Sequence, residues 1–213
     1  MPYSKSEGKK EILSYLKYRF GLGENLTVLD VGAGSGTYGK LIRKGMPKSR
    51  ILGVEIFEPY IDRFGLTEIY DRVIAGNVLE DNFDLSSDVV IFGDVLEHMD
   101  HSDALSVLKK FFLNSAVCVV SIPIITFPQG ESDGNVYETH LNQWNFSTFK
   151  DDMVECDIPV RLCLKGRVAG VFILSDELPP KIQQLYWFIR QMVHSYDAFA
   201  KRVRKAWKVK ISP

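Results

Sequence analysis

The sequence predicts an α/β fold: a doubly wound, mostly parallel seven-stranded sheet with a closing antiparallel hairpin, plus a C-terminal helix. Three observations carry this expectation. Short, nearly continuous apolar runs alternate with helical patterns along most of the chain, as happens when helices cover both faces of a parallel sheet. The first run, TVLDV, leads directly into a glycine-rich turn within Val28 to Gly39 (VLDVGAGSGTYG). Two late strand-like runs are separated only by Gly166 and its neighbours, and Gly166-Arg167 suits a tight hairpin.

The elements follow in order. Ile12, Leu13, Leu16 and Phe20 recur at helical spacing until Gly21 and Gly23 end the helix. Strands are expected at 27–31, 51–56, 72–75, 88–92 and 117–122, and helices at 38–44, 59–64 and 102–113. Pro123 to Phe146 is polar, carries glycine and aromatic residues, and is too long for a simple connector, so it is read as a substrate-facing loop. A helix at 147–154 and strands at 160–165 and 168–174 complete a domain of residues 1–176. Residues 177–213 form an extension. After Pro179-Pro180 a helix is expected with Ile182, Leu185, Ile189, Met192, Tyr196, Phe199, Val203 and Trp207 on one face.

Composition narrows the class. With 213 residues and 46% hydrophobic content, the chain can bury one sizeable core. Its 26 lysines and arginines nearly balance 27 aspartates and glutamates, so no nucleic-acid partner is expected. Cys118, Cys156 and Cys163 are odd in number and widely spaced, which argues against a disulfide framework or a zinc site and for a reducing compartment. The first twenty residues lack the uninterrupted apolar core of a secretory signal, and no stretch nears the roughly 20 apolar residues of a membrane span. A cytoplasmic location is expected.

The turn carries the chemistry. Asp30, Gly32, Gly34 and Gly36 fall at two-residue intervals, and glycine there permits a tight turn and close approach of backbone to ligand. A dinucleotide-binding G-x-G-x-x-G would want glycine where Thr37 stands, and an acid at the strand end would repel a pyrophosphate. A ligand bearing an ammonium and a sulfonium suits carboxylates instead. VLDVGAGSG resembles the first motif of the class I S-adenosylmethionine-dependent methyltransferase family, and the resemblance extends over residues 25–175. It implies S-adenosylmethionine as cofactor, with Asp30 and Asp94 lining it. Glu55 closes the second strand nineteen residues after Gly36, where an acid would accept both ribose hydroxyls. The family more often has aspartate where this chain has Asn77, near the adenine amino group; an amide oxygen accepts the same bond. By the same likeness, DVLEH (94–98) puts Asp94 near the methionine part and His98 toward the acceptor.

Methyl transfer is an in-line displacement driven largely by positioning. The expected acceptor is a hydroxyl on a small molecule or a glycan, whose proton a histidine would remove. His140 is preferred over His98 as that base. Glu138 is a candidate to orient His140, and Tyr137 and Trp144 to form an aromatic wall. Glu97, His98, Asp100, His101 and Asp103 invite a metal reading, but Asp100 or Ser102 capping a helix is preferred, so no metal is expected. No N-P-P-Y-like or D-P-P-Y-like tetrapeptide follows the fourth strand; FGDV stands there. An NAD-dependent oxidoreductase is disfavoured by Thr37 and Asp30, and a non-catalytic binding module by the intact turn. Lys201, Arg202, Arg204, Lys205, Lys208 and Lys210 make the end of the extension basic. Packing of its apolar face on the domain or on a second subunit is preferred over contact with a membrane surface or with an acidic or phosphate-bearing partner.

Overall fold

A computed structural model describes residues 6–80, 86–179, 181, 184–193 and 195. Its strands are β1 (Thr27–Val31), β2 (Arg50–Glu55), β3 (Arg72–Ala75), β4 (Val89–Gly93), β5 (Val117–Pro123), β6 (Val160–Lys165) and β7 (Ala169–Leu174). They form one sheet in the order β3-β2-β1-β4-β5-β7-β6. The first five run parallel, while β7 lies antiparallel to both β5 and β6. Val31 pairs with Val54 on one side and Phe92 on the other. The chain leaves β1 toward β2 and β3, then crosses back to β4, which opens a crevice beyond the carboxyl ends of β1, β2 and β4.

Helices α1 (Lys9–Phe20), α2 (Thr37–Gly45), α3 (Pro59–Arg63), α4 (Leu66–Ile69), α5 (His101–Phe112) and α6 (Phe146–Glu155) cover both faces. Side chains alternate across a strand. Leu29, Val31, Val90, Phe92 and Val120 pack with Leu108 and Phe111 of α5 and with Phe149 and Met153 of α6. Val28, Ile91 and Val119 pack on the other side with Ile12 and Leu16 of α1 and with Tyr38 and Ile42 of α2. Burial on both faces is why β4 and β5 read as nearly continuous apolar runs, broken in β5 only at Ser121.

The predicted elements recur in the structure with ends shifted by a residue or so, and one was not foreseen. The helix predicted at 59–64 ends at Arg63, and after Gly65, at φ 58°, the chain resumes as α4. The turn between β6 and β7 is braced from a distance: Glu7 accepts hydrogen bonds from the N–H groups of Arg167, Val168 and Ala169 at 3.1, 2.9 and 3.0 Å. All three cysteines are free, Cys118 buried and the others partly so.

Residues 184–193 are helical. Trp187, 2% exposed, meets Tyr15 of α1 edge-on at 6.5 Å. Arg190 donates to buried Glu11 at 2.8 and 2.5 Å, and Gln191 accepts from the Lys165 N–H at 2.7 Å. The face that packs on the domain is therefore not the predicted apolar stripe. Leu185, Ile189 and Met192 are 57%, 51% and 58% exposed, because the ion pair and the tryptophan fix the rotation of the helix. Ile182, Tyr196, Phe199, Val203, Trp207 and the basic cluster from Lys201 to Lys210 lie outside the described residues. No described helix is long and apolar enough to cross a membrane.

Candidate functional site

The crevice is a cavity of about 280 Å³ built around the β1–α2 turn. Gly32, Gly34 and Gly36 adopt φ of 72°, 51° and 72°, a region that disfavours any side chain. A Cβ on Gly32 would lie 2.0 Å from Val95 Cγ2, and one on Gly36 2.6 Å from Ile69 Cδ1. The N–H groups of Gly32 and Ala33 both donate to the Val54 carbonyl, at 2.9 and 3.0 Å, which ties the turn to β2. Gly32 and Gly34 line the cavity; Gly36 stands behind it at the start of α2.

Glu55, Asn77 and Asp94 also line it. Glu55 accepts from the Gly34 N–H at 2.7 Å and from the Phe57 N–H at 2.9 Å. Burial raises its pKa, opposed by those two bonds. Each oxygen keeps a lone pair for a ligand. Asn77 accepts from the Leu79 N–H at 3.0 Å and donates to Glu80 at 3.1 Å. Asp94 is held at φ 57° by its N–H bond to the Ser121 carbonyl, 2.8 Å, with Ser121 Oγ 3.4 Å from its carboxylate. A left-handed aspartate is strained backbone of the kind that concentrates at functional sites.

Asp30 takes a different place from the one the sequence predicts. Its side chain shares the face of β1 that carries Val28, and its buried carboxyl accepts from the Tyr70 hydroxyl at 2.6 Å, away from the cavity lining. Tyr70 lies over Gly39 and Gly53, where a Cβ would come within 2.5 and 3.1 Å of its ring. Burial pushes the Asp30 pKa up to about 8. Asp30 thus acts as a neutral, hydrogen-bonded acid beneath the turn, because strand alternation aims it at the α2 layer.

The cavity is acidic. Carboxylates of Glu55, Asp94, Asp100, Asp103 and Glu138 line it, and no lysine or arginine does among the described residues. Near the cavity, Lys9 Nζ sits 4.8 Å from the centre of the ring of Tyr38, a lining residue. Burial lowers the pKa of Lys9, and the charge of Asp94 opposes that shift. Sequence reasoning missed Lys9, which looked like any solvated helix residue.

The two candidate histidines are adjacent but differently placed. His98, at the end of a 3₁₀ turn (Leu96–His98), lines the cavity; His140 faces a neighbouring hollow of about 240 Å³ with Glu97 and Phe127. Of the two, His98 borders the crevice, as the sequence likeness implied, while His140, the preferred base, borders the neighbouring hollow. The Glu97 carbonyl accepts from the N–H groups of Leu141 and Asn142, at 2.9 and 3.1 Å, and this draws the long loop across the turn so that the His140 ring stands behind His98. The ring centres are 4.8 Å apart. Burial, then His140, pushes the His98 pKa down to about 4, and burial also lowers that of His140.

The remaining candidates separate. Glu138 is engaged by the Tyr60 hydroxyl at 3.3 Å and by Gln129 at 3.1 Å. Tyr137 lines the cavity, whereas Trp144 is buried, donates to Asp152 at 2.6 Å and packs on Phe149. His101, 3.4 Å from Asp152, turns away from Glu97 and His98. Asp100 precedes α5 but makes no side-chain capping bond. Glu97 is 3% exposed, and its Oε2 has no hydrogen-bond partner among the described residues. Burial holds its pKa well above the usual carboxylate range. Its place in L-E-H was the available signal, but only folding reveals its burial.

No protein-family model and no curated protein sequence matches the chain. Solved structures do. The mitomycin 7-O-methyltransferase MmcR superposes with a TM-score of 0.57 at 18% identity, over 78% of this chain and 52% of that one. The chain thus spans about half the length of MmcR. A TehB-like SAM-dependent methyltransferase from Corynebacterium glutamicum gives 0.57 at 14% identity, over 81% and 89% of the two chains. The 1,6-didemethyltoxoflavin-N1-methyltransferase of Burkholderia thailandensis, solved with S-adenosylhomocysteine bound, gives 0.55 at 16%, over 81% and 80%. At these identities the likeness is one of architecture, and the chain has the Rossmann-like fold of class I S-adenosylmethionine-dependent methyltransferases.

Proposed function

We propose that the protein is an S-adenosylmethionine-dependent methyltransferase acting on a hydroxyl of a small molecule or glycan. The observation that carries this reading is the acid-lined crevice, without lysine or arginine among the described residues, at the switch point of the sheet. A sulfonium with an ammonium gains from such walls, and a pyrophosphate loses. Glu55 accepts the ribose hydroxyls, Asn77 borders the adenine, and Asp94 faces the ammonium. Lys9 supplies charge of the right sign for the amino-acid carboxylate. His98, on the same cavity and neutral at pH 7, borders the acceptor.

In-line transfer then needs the acceptor oxygen held against the methyl carbon, a matter of positioning rather than covalent catalysis. Calorimetric titration with S-adenosylmethionine, S-adenosylhomocysteine and NAD tests the reading. Saturable binding of the first two and none of NAD is expected. Binding of NAD alone would make the protein an oxidoreductase, and no heat from any of the three would leave a binding module.

A further inference from the structure

Glu97, His98 and His140 offer one carboxylate oxygen and two imidazole nitrogens that all lie within 4.8 Å of one another. Each imidazole already has one nitrogen engaged with a backbone carbonyl: His98 Nδ1 stands 3.2 Å from the Thr139 oxygen, and the His140 ring donates to Phe127. Donation there leaves the second nitrogen of each ring with its lone pair, the tautomer that a metal-binding histidine needs. Glu97 Oε2 is buried with no hydrogen-bond partner among the described residues. A carboxylate so placed is costly unless a cation pairs with it. The backbone fixes the grouping as well, because the Glu97 carbonyl holds Leu141 and Asn142 and hence the position of His140.

We propose that Glu97, His98 and His140 form a site for a divalent first-row transition cation, such as manganese, iron, cobalt or zinc, in the partition between the crevice and the neighbouring hollow. Two imidazoles and one carboxylate suit those ions better than magnesium or calcium, which prefer oxygen donors. Three protein ligands leave coordination positions for water or substrate. The cation's task rests on the methyltransferase reading. An acceptor hydroxyl bound to it becomes more acidic and gives its proton to water. The oxygen lone pair then forms the new C–O bond as the S–CH₃ bond breaks, and the sulfonium becomes the neutral thioether of S-adenosylhomocysteine. Both histidines serve as ligands in this scheme, so the proton passes to water rather than to either of them.

The test uses the full chain stripped of metal with a chelator, then titrated with manganese, cobalt and zinc by calorimetry, with visible absorption followed for cobalt. One equivalent is expected, with cobalt bands of a mixed nitrogen and oxygen site. Glu97→Gln and His140→Ala should each weaken binding by about 100-fold or more, while His101→Ala leaves it unchanged. Circular dichroism and S-adenosylhomocysteine binding, measured on the same samples, confirm that the variants fold. Absence of stoichiometric binding to the wild-type chain, or binding that survives both ligand variants, overturns the site. Cation binding without S-adenosylhomocysteine binding keeps the site and overturns the methyl-transfer reading; the opposite result does the reverse.

Discussion

Asp30 and Tyr70 share a buried layer beneath the β1–α2 turn, and burial keeps the Asp30 carboxyl protonated up to about pH 8. An unfolded aspartate titrates near its ordinary value of 3.8. The folded chain therefore holds one more proton between those two values. The associated stability is fully present below about pH 4 and is lost as the pH rises through about 8, at up to about 1.4 kcal/mol per unit. Asp30→Asn keeps an acceptor for Tyr70 and removes the titration. Thermal unfolding at pH 5 and pH 8.5 should show the wild type losing ground to the variant at the higher pH; parallel profiles would contradict the burial argument. Gly32→Ala acts through the backbone and through Val95. A left-handed φ costs about 1–2 kcal/mol in a side-chain residue, and crowding a packed site adds about 1–3 kcal/mol. We expect a drop of about 3 kcal/mol in denaturant titration, only partly recovered by adding Val95→Ala, which relieves the contact but not the φ.

Among the elements, the C-terminal helical segment is the one whose docking face differs from its periodicity. Trp187, Arg190 and Gln191 meet α1 and β6, while Leu185, Ile189 and Met192 face outward. Trp187→Ala should cost about 3 kcal/mol, in the range for a buried aromatic, and should speed proteolytic cleavage after residue 179. Leu185→Glu and Ile189→Glu should leave the melting temperature within about a degree of wild type, as surface substitutions do. If the glutamates destabilise and the alanine does not, the helix docks by its apolar stripe after all. The strands need no such correction. Val89 to Phe92 and Val117 to Ile122 are buried throughout, and a run buried on both faces is visible in sequence because every position but Ser121 is apolar.

For the whole molecule, ligand linkage gives a measurable check. S-adenosylhomocysteine at 100 times its Kd should stabilise the fold by about 2.7 kcal/mol, or about 5–10 °C for a chain of this size, and NAD by nothing. The sequence by itself determined the order of the elements, the glycine turn, and the acids Glu55 and Asp94 at strand ends, because those follow from local periods of 2 and 3.6 residues and from backbone sterics. Tertiary structure alone decided that Asp30 turns away from the crevice, that His98 lines it while His140 stands behind, and that buried Glu97 joins them. It also decided which face of the last helix docks. These outcomes rest on contacts between distant residues: the Glu97 carbonyl with Leu141 and Asn142, Glu7 with the β6–β7 turn, and Glu11 with Arg190 across 179 residues. A local pattern reports that a residue will be buried or exposed on its own element. Which partner it meets is set by the closure of the chain on itself, and that is where the chemistry of this site is made.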